Sequence, residues 1–123
     1  MEFTKKKILL VEDEKILRLL YEEELGEEGF DVAAVKSGEE ALQRLDKAVP
    51  DLIILDIVLP GMNGLETLAK IRERVNGASR VILHTSHEKY QFDSKRRLAD
   101  AYIIKSGDLT ELKEKARQLL DIG

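Results

Sequence analysis

Five apolar runs of four or five residues alternate along the chain with longer stretches in which apolar residues recur every three or four positions, and few folds accommodate that alternation. The runs at residues 7–11, 31–35, 51–55, 80–84 and 101–104 are too short for helices and are bounded by charged, Gly or Ser residues, so each reads as a strand. Between them the apolar residues take helical spacing: Ile16, Leu17, Leu20 and Leu25; Ala41, Leu42 and Leu45; Leu65, Leu68 and Ile71; and Leu109, Leu112, Ala116, Leu119 and Leu120. Ser37 with Glu40, Asn63 with Glu66 and Asp108 with Glu111 have the spacing of capping pairs, and Gly29 reads as a helix stop. The stretch 87–98 shows no clean stripe among Lys95, Arg96 and Arg97, and a short or irregular helix is expected there.

Strands separated by helices pair in parallel, through crossovers that are almost always right-handed. The expected architecture is therefore α/β: a single doubly wound five-stranded parallel sheet, order 2-1-3-4-5, with helices on both faces. At 123 residues and 43% hydrophobic, the chain suits one domain with a real, largely aliphatic core. A net charge of −4 offers no general attraction to nucleic acid or anionic membranes. No apolar run approaches the roughly 18 residues of a membrane helix, and the start is too short in apolar residues for a signal peptide. The absence of cysteine excludes disulfides, thiolate metal sites and Cys nucleophiles, and makes the cytoplasm the default location.

In such a sheet ligands bind beyond the carboxyl ends of the strands, where strand order reverses between strands 1 and 3. The residues at those ends are Glu12 and Asp13, Asp56, Thr85 and Ser86, and Lys105. Glu12 and Asp13 alone would serve to favour the positive end of the first helix. Asp56, closing an apolar run and followed by another, is costly to desolvate without a partner. Clustered carboxylates without nitrogen or sulfur ligands favour a hard cation such as Mg²⁺. A carboxylate nucleophile, a metal and two further donors are what acyl-phosphate formation requires. His84 and His87 lack companion ligands and read as strand-end histidines rather than a metal pair.

With these residues in place, the sequence resembles the response-regulator receiver domain of two-component signalling over essentially its whole length. The resemblance is carried by Glu12-Asp13, by Asp56 within Leu55-Asp56-Ile57-Val58-Leu59-Pro60-Gly61-Met62-Asn63-Gly64, by Thr85 and by Lys105. It implies a flavodoxin-like fold and phosphotransfer from a histidine kinase phosphohistidine, or a phosphotransfer protein, to Asp56. It further implies Mg²⁺ held by Asp13, Asp56 and the Val58 backbone carbonyl, with Glu12 acting through water. Thr85 and Tyr102 take the positions of the switch pair, expected to move inward on phosphorylation. Val58 and His87 take those that modulate access of hydrolytic water, so the protein gains and loses its phosphoryl group without being a turnover enzyme.

Two features depart from the family pattern. Ser106 follows Lys105 where proline is usual, and the segment from Thr85 to Lys105 is about two residues short. A serine gives no reason for a cis peptide, so a trans bond is expected, with Gly107 taking a positive φ and Asp108 capping the last helix. Residues 1–123 read as one receiver domain with no output domain, acting by docking. The rival reading is a phosphorylation-independent interaction module on the same scaffold. A flavodoxin-type phosphate loop is disfavoured by Glu12-Asp13-Glu14, and a haloacid-dehalogenase-type phosphatase by Val58, where a second Asp would be needed.

Overall fold

The computed structural model describes residues 4–121. Its elements are β1 (Lys7–Val11), α1 (Lys15–Glu27), β2 (Asp31–Val35), α2 (Gly38–Leu45), β3 (Leu52–Leu55), α3 (Gly64–Val75), β4 (Arg80–Thr85), β5 (Ala101–Ile104) and α4 (Thr110–Leu119). Two 3₁₀ turns, Lys89–Phe92 and Ser94–Leu98, lie between β4 and β5, where an irregular helix was expected. The strands pair in parallel in the order β2-β1-β3-β4-β5, as the alternation predicts. Expected strand limits hold to within one residue: β3 begins at Leu52 and β4 runs on to Thr85. Expectations about the chain's two ends rest partly on residues 1–3 and 122–123, which lie outside the described residues. No helix among the described residues is long and apolar enough to cross a membrane.

Each strand sends alternate side chains to opposite faces, so the central strands must be apolar at nearly every position. Leu9, Val11, Ile53, Leu55, Val81 and Leu83 meet α2 and α3 through Ala41, Leu42, Leu65, Leu68 and Ile71. On the other face Ile8, Leu10, Leu52, Ile54, Ile82 and Ile103 meet α1 and α4 through Tyr21, Leu25, Leu112 and Ala116. The core-facing stripe of α1 is thus Tyr21 and Leu25, with Leu17 half-buried beside them, and the expected stripe through Ile16 and Leu20 is corrected. Ile16 is 80% exposed and Leu20 44%. A run of Ile16-Leu17, Leu19-Leu20 and Leu25 fits two helical faces, and the aromatic body of Tyr21 selects the one that is buried.

Ser37 accepts from the Glu40 N–H and Asn63 from the Glu66 N–H, as their spacing predicts. Gly29 follows α1 with φ +97°, a conformation open to glycine. The 3₁₀ segment is tied down from α3: Arg72 donates to the carbonyls of Leu98, Asn76 and Ser79 and pairs with Asp100. The turn after β5 differs from expectation. Lys105–Ser106 is trans, yet Gly107 has no positive φ; among the described residues the positive-φ glycines are Gly29 and Gly61. Helix α4 is preceded by Leu109, which has no capping side chain, and Asp108 instead reaches past it to accept from the Thr110 N–H.

Candidate functional site

The switch in strand order between β1 and β3 brings Glu12 and Asp56 side by side, each with its N–H closing the sheet ladder: Glu12 onto the Val35 carbonyl and Asp56 onto that of Val11. The backbone behind Asp56 is pressed close to α3. A Cβ at Gly64 would lie 2.1 Å from the Asp56 carbonyl oxygen and 2.6 Å from Ile57 Cα, so only glycine allows this approach. The Gly64 N–H then donates to the Ile57 carbonyl at 2.8 Å and fixes the chain just beyond Asp56.

Lys105 arrives from the end of β5, its N–H bonded to the Thr85 carbonyl at 2.8 Å. Its Nζ stands 2.8 Å from Asp56 Oδ2 and 2.6 Å from Glu12 Oε1, one ammonium shared by two nearly buried carboxylates. Burial works against the Lys105 charge, but its hydrogen bonds to Asp56 and Glu12 prevail and hold its pKa above the ordinary lysine value. Burial raises the pKa of Glu12 against the opposing pull of Lys105. Glu12 Oε2 accepts from the Glu14 N–H, and Asp56 Oδ1 accepts from the Val58 N–H at 3.3 Å.

Glu12, Asp13 and Asp56 each place a carboxylate oxygen within 4.8 Å of the others. That donor set, all oxygen and only partly neutralised by Lys105, fits a hard divalent cation such as Mg²⁺. The carboxylates of Asp13 and Asp56 line an opening of about 190 Å³, together with Val58, Thr85, His87 and Lys105. Thr85 is fully buried and accepts from the His87 N–H at 3.4 Å. The Tyr102 hydroxyl donates to the His87 carbonyl, with its ring packed against the core and under the guanidinium of Arg96. All the residues singled out at the strand ends therefore converge. His84 and His87 do not pair: His84 is buried beside the Tyr21 ring, and His87 meets Tyr90 edge-on.

Two contributors escaped the sequence reading. Arg18 donates from Nη1 to the carbonyls of Glu12 and Asp13, holding the acidic loop from one turn into α1. Leu17 walls the opening beside Asp13. Leu17 lies four residues after Asp13 and Arg18 four after Glu14, one helical turn beyond the acidic loop, and that spacing is the signal that could have found them.

The sequence matches the response regulator receiver domain over residues 8–117. The crystal structure of response regulator protein TrrA from Thermotoga maritima in complex with Mg²⁺-BeF superposes with a TM-score of 0.89 at 42% identity, covering 93% of this chain and 98% of that one. A complex of the histidine kinase ThkA with TrrA gives a TM-score of 0.87 at 43% identity, covering 94% and 98% of the respective chains. The phosphate regulon transcriptional regulatory protein PhoB of Rhizobium meliloti is 35% identical over 117 residues, 93% of this chain and 52% of that protein. The chain spans about half the length of several of the curated relatives it matches. With a parallel sheet in the order β2-β1-β3-β4-β5, an acidic cluster at its switch point and this match, the chain belongs to the response regulator receiver domain family.

Proposed function

We propose that the chain works as a receiver unit that accepts a phosphoryl group on Asp56 from the phosphohistidine of a histidine kinase or phosphotransfer protein, and signals through the conformational change that follows. The observation that carries this reading is the Asp56 carboxylate, only 6% exposed, bound by Lys105 and opening onto a cavity shared with Asp13 and Thr85. A carboxylate oxygen attacks phosphorus, the N–P bond breaks, and the imidazole leaves with the electron pair, taking up a proton to become neutral histidine. Asp13 and Asp56, with the Val58 carbonyl, would hold Mg²⁺, and Glu12 would act through its water. Bound there, the ion supplies charge neutralisation for the phosphoryl oxygens. Lys105 neutralises the group from the opposite side, and Thr85 supplies a hydroxyl donor to it. Val58, 49% exposed, and His87 stand at the rim and set how readily water attacks the acyl phosphate.

Phosphorylation replaces the single negative charge of the Asp56 carboxylate with the roughly two of an acyl phosphate, beside Thr85 and Lys105. Thr85 and Tyr102 are both bonded to His87, so the loop from Ser86 to Tyr90 is the element that responds. A kinase partner is supported by the ThkA–TrrA complex and by the apolar Ile16, Leu19 and Leu20 exposed on α1. The cytoplasm is the location that suits a chain without cysteine. Incubation with acetyl phosphate and Mg²⁺ followed by intact-mass measurement is expected to show one labile phosphoryl adduct, absent from Asp56→Asn. Undiminished labelling of that variant would overturn the assignment, and an unlabelled wild type would favour the interaction-module reading.

A further inference from the structure

The ammonium of Lys105 makes two short contacts at once, to Asp56 and Glu12, and its side chain is only 12% exposed. A flexible lysine stem reaches one partner from many backbone positions, but two fixed partners at 2.8 and 2.6 Å demand a defined one. The Lys105 N–H is anchored on the Thr85 carbonyl. Beyond Lys105 the chain leaves the sheet, and among the described residues no backbone carbonyl accepts from the N–H groups of residues 106–109. The exit is held by side chains. The Ser106 hydroxyl accepts from the Asp108 N–H at 3.0 Å and donates to the Asp108 carbonyl at 3.1 Å. Asp108 Oδ1 accepts in turn from the N–H and the hydroxyl of Thr110, the first residue of α4, at 2.9 and 2.6 Å. Leu109, 9% exposed, secures the far end in the core. Gly107 contributes neither a positive φ nor a close approach, since a Cβ there would meet nothing within 4 Å.

We propose that Ser106 is a positioning residue for Lys105: its hydroxyl, locked onto Asp108, fixes the direction in which the chain leaves β5 and so aims the ammonium at Asp56 and Glu12 together. The role a proline ring would fill by covalent constraint is filled here by a hydrogen-bonded turn. Such a turn is exposed to competition from water, so the aim of Lys105 depends on one hydroxyl. The functional half of the proposal rests on the phosphoacceptor reading; the geometric half does not.

The test has two arms, run on the wild type, Ser106→Ala, Ser106→Thr and Gly107→Ala, with thermal unfolding to confirm that each is folded. In the first, ¹⁵N-lysine NMR follows hydrogen exchange of the Lys105 ammonium, assigned by its loss in Lys105→Met. Ser106→Ala is expected to exchange about tenfold faster, the loss expected when a hydrogen bond of ordinary net strength is removed, whereas Ser106→Thr and Gly107→Ala keep the wild-type rate. An unchanged rate in Ser106→Ala, or an equal rise in Gly107→Ala, would overturn the proposal. In the second arm, phosphorylation by acetyl phosphate is expected to fall about tenfold in Ser106→Ala, with Mg²⁺ affinity undiminished and Ser106→Thr restoring the rate. If Mg²⁺ affinity falls in step with the rate, the turn shapes the whole site and the positioning role is refuted. Should the wild type take no phosphoryl group, the phosphoacceptor reading fails, and the ammonium signal still decides the positioning of Lys105.

Discussion

His84 ends the apolar run of β4 one residue before Thr85 and is only 3% exposed, with its ring centroid 5.2 Å from that of Tyr21. Burial, reinforced by the charge of Lys105, lowers its pKa from 6.5 to about 4. Between those values the unfolded chain binds a proton at His84 that the folded chain excludes. Stability therefore rises with pH through that window and is lost as pH falls toward 4, by an amount on the order of 3 kcal/mol. His84→Leu is expected to flatten that part of the pH profile, measured as urea midpoints across the window. Parallel profiles for the two proteins would show that His84 is not the group responsible. The same buried imidazole explains why two histidines near one strand end form no metal pair: one faces Tyr21 in the core and the other stands at the rim of the opening.

Among the elements, α1 serves two surfaces. Tyr21 and Leu25 enter the core beside α4, while Ile16, Leu19 and Leu20 remain at the surface. Tyr21→Ala is expected to lower stability by about 3 kcal/mol or more, as removal of a buried aromatic does. Ile16→Ser is expected to change it by no more than about 0.5 kcal/mol. Chemical denaturation of both variants checks the assignment, and comparable losses would mean that the helix is rotated from the orientation described. The stripe read from periodicity alone was displaced here because Leu and Ile occupy two overlapping faces, and only packing against Phe30, Ile103 and Leu112 distinguishes them. The segment between β4 and β5 shows the opposite case. Its lack of a stripe was legible, and it forms two 3₁₀ turns clamped by Arg72, a contact between residues 26 apart that no local pattern announces.

Over the whole molecule, parallel pairing collects charges that lie far apart in the chain. Glu12, Asp13 and Asp56 offer oxygen ligands, but Lys105 already occupies two of these carboxylates, and Mg²⁺ releases its hydration water reluctantly. Weak Mg²⁺ binding is therefore expected without a phosphoryl group. Asp13→Ala should weaken it at least as much as the roughly tenfold that loss of an outer-shell partner costs a metal site. Calorimetry at neutral pH measures this, and equal binding by the variant would remove Asp13 from the ligand set. The strands, most of the helix ends, the order of the sheet and the identity of the residues at its carboxyl edge are legible in the amino-acid order alone. These depend on side-chain periodicity, on caps that act within three residues, and on the geometry of parallel crossovers, all of which are local or topological. Three features emerge from packing alone: one ammonium bridges Glu12 and Asp56, Tyr21 lies against His84, and Ser106 rather than Gly107 braces the turn after β5. Each of these is a contact of a few ångströms between groups whose approach is set by the packing of several elements at once, and hydrogen bonds and ion pairs vary too steeply with distance for local patterning to specify them.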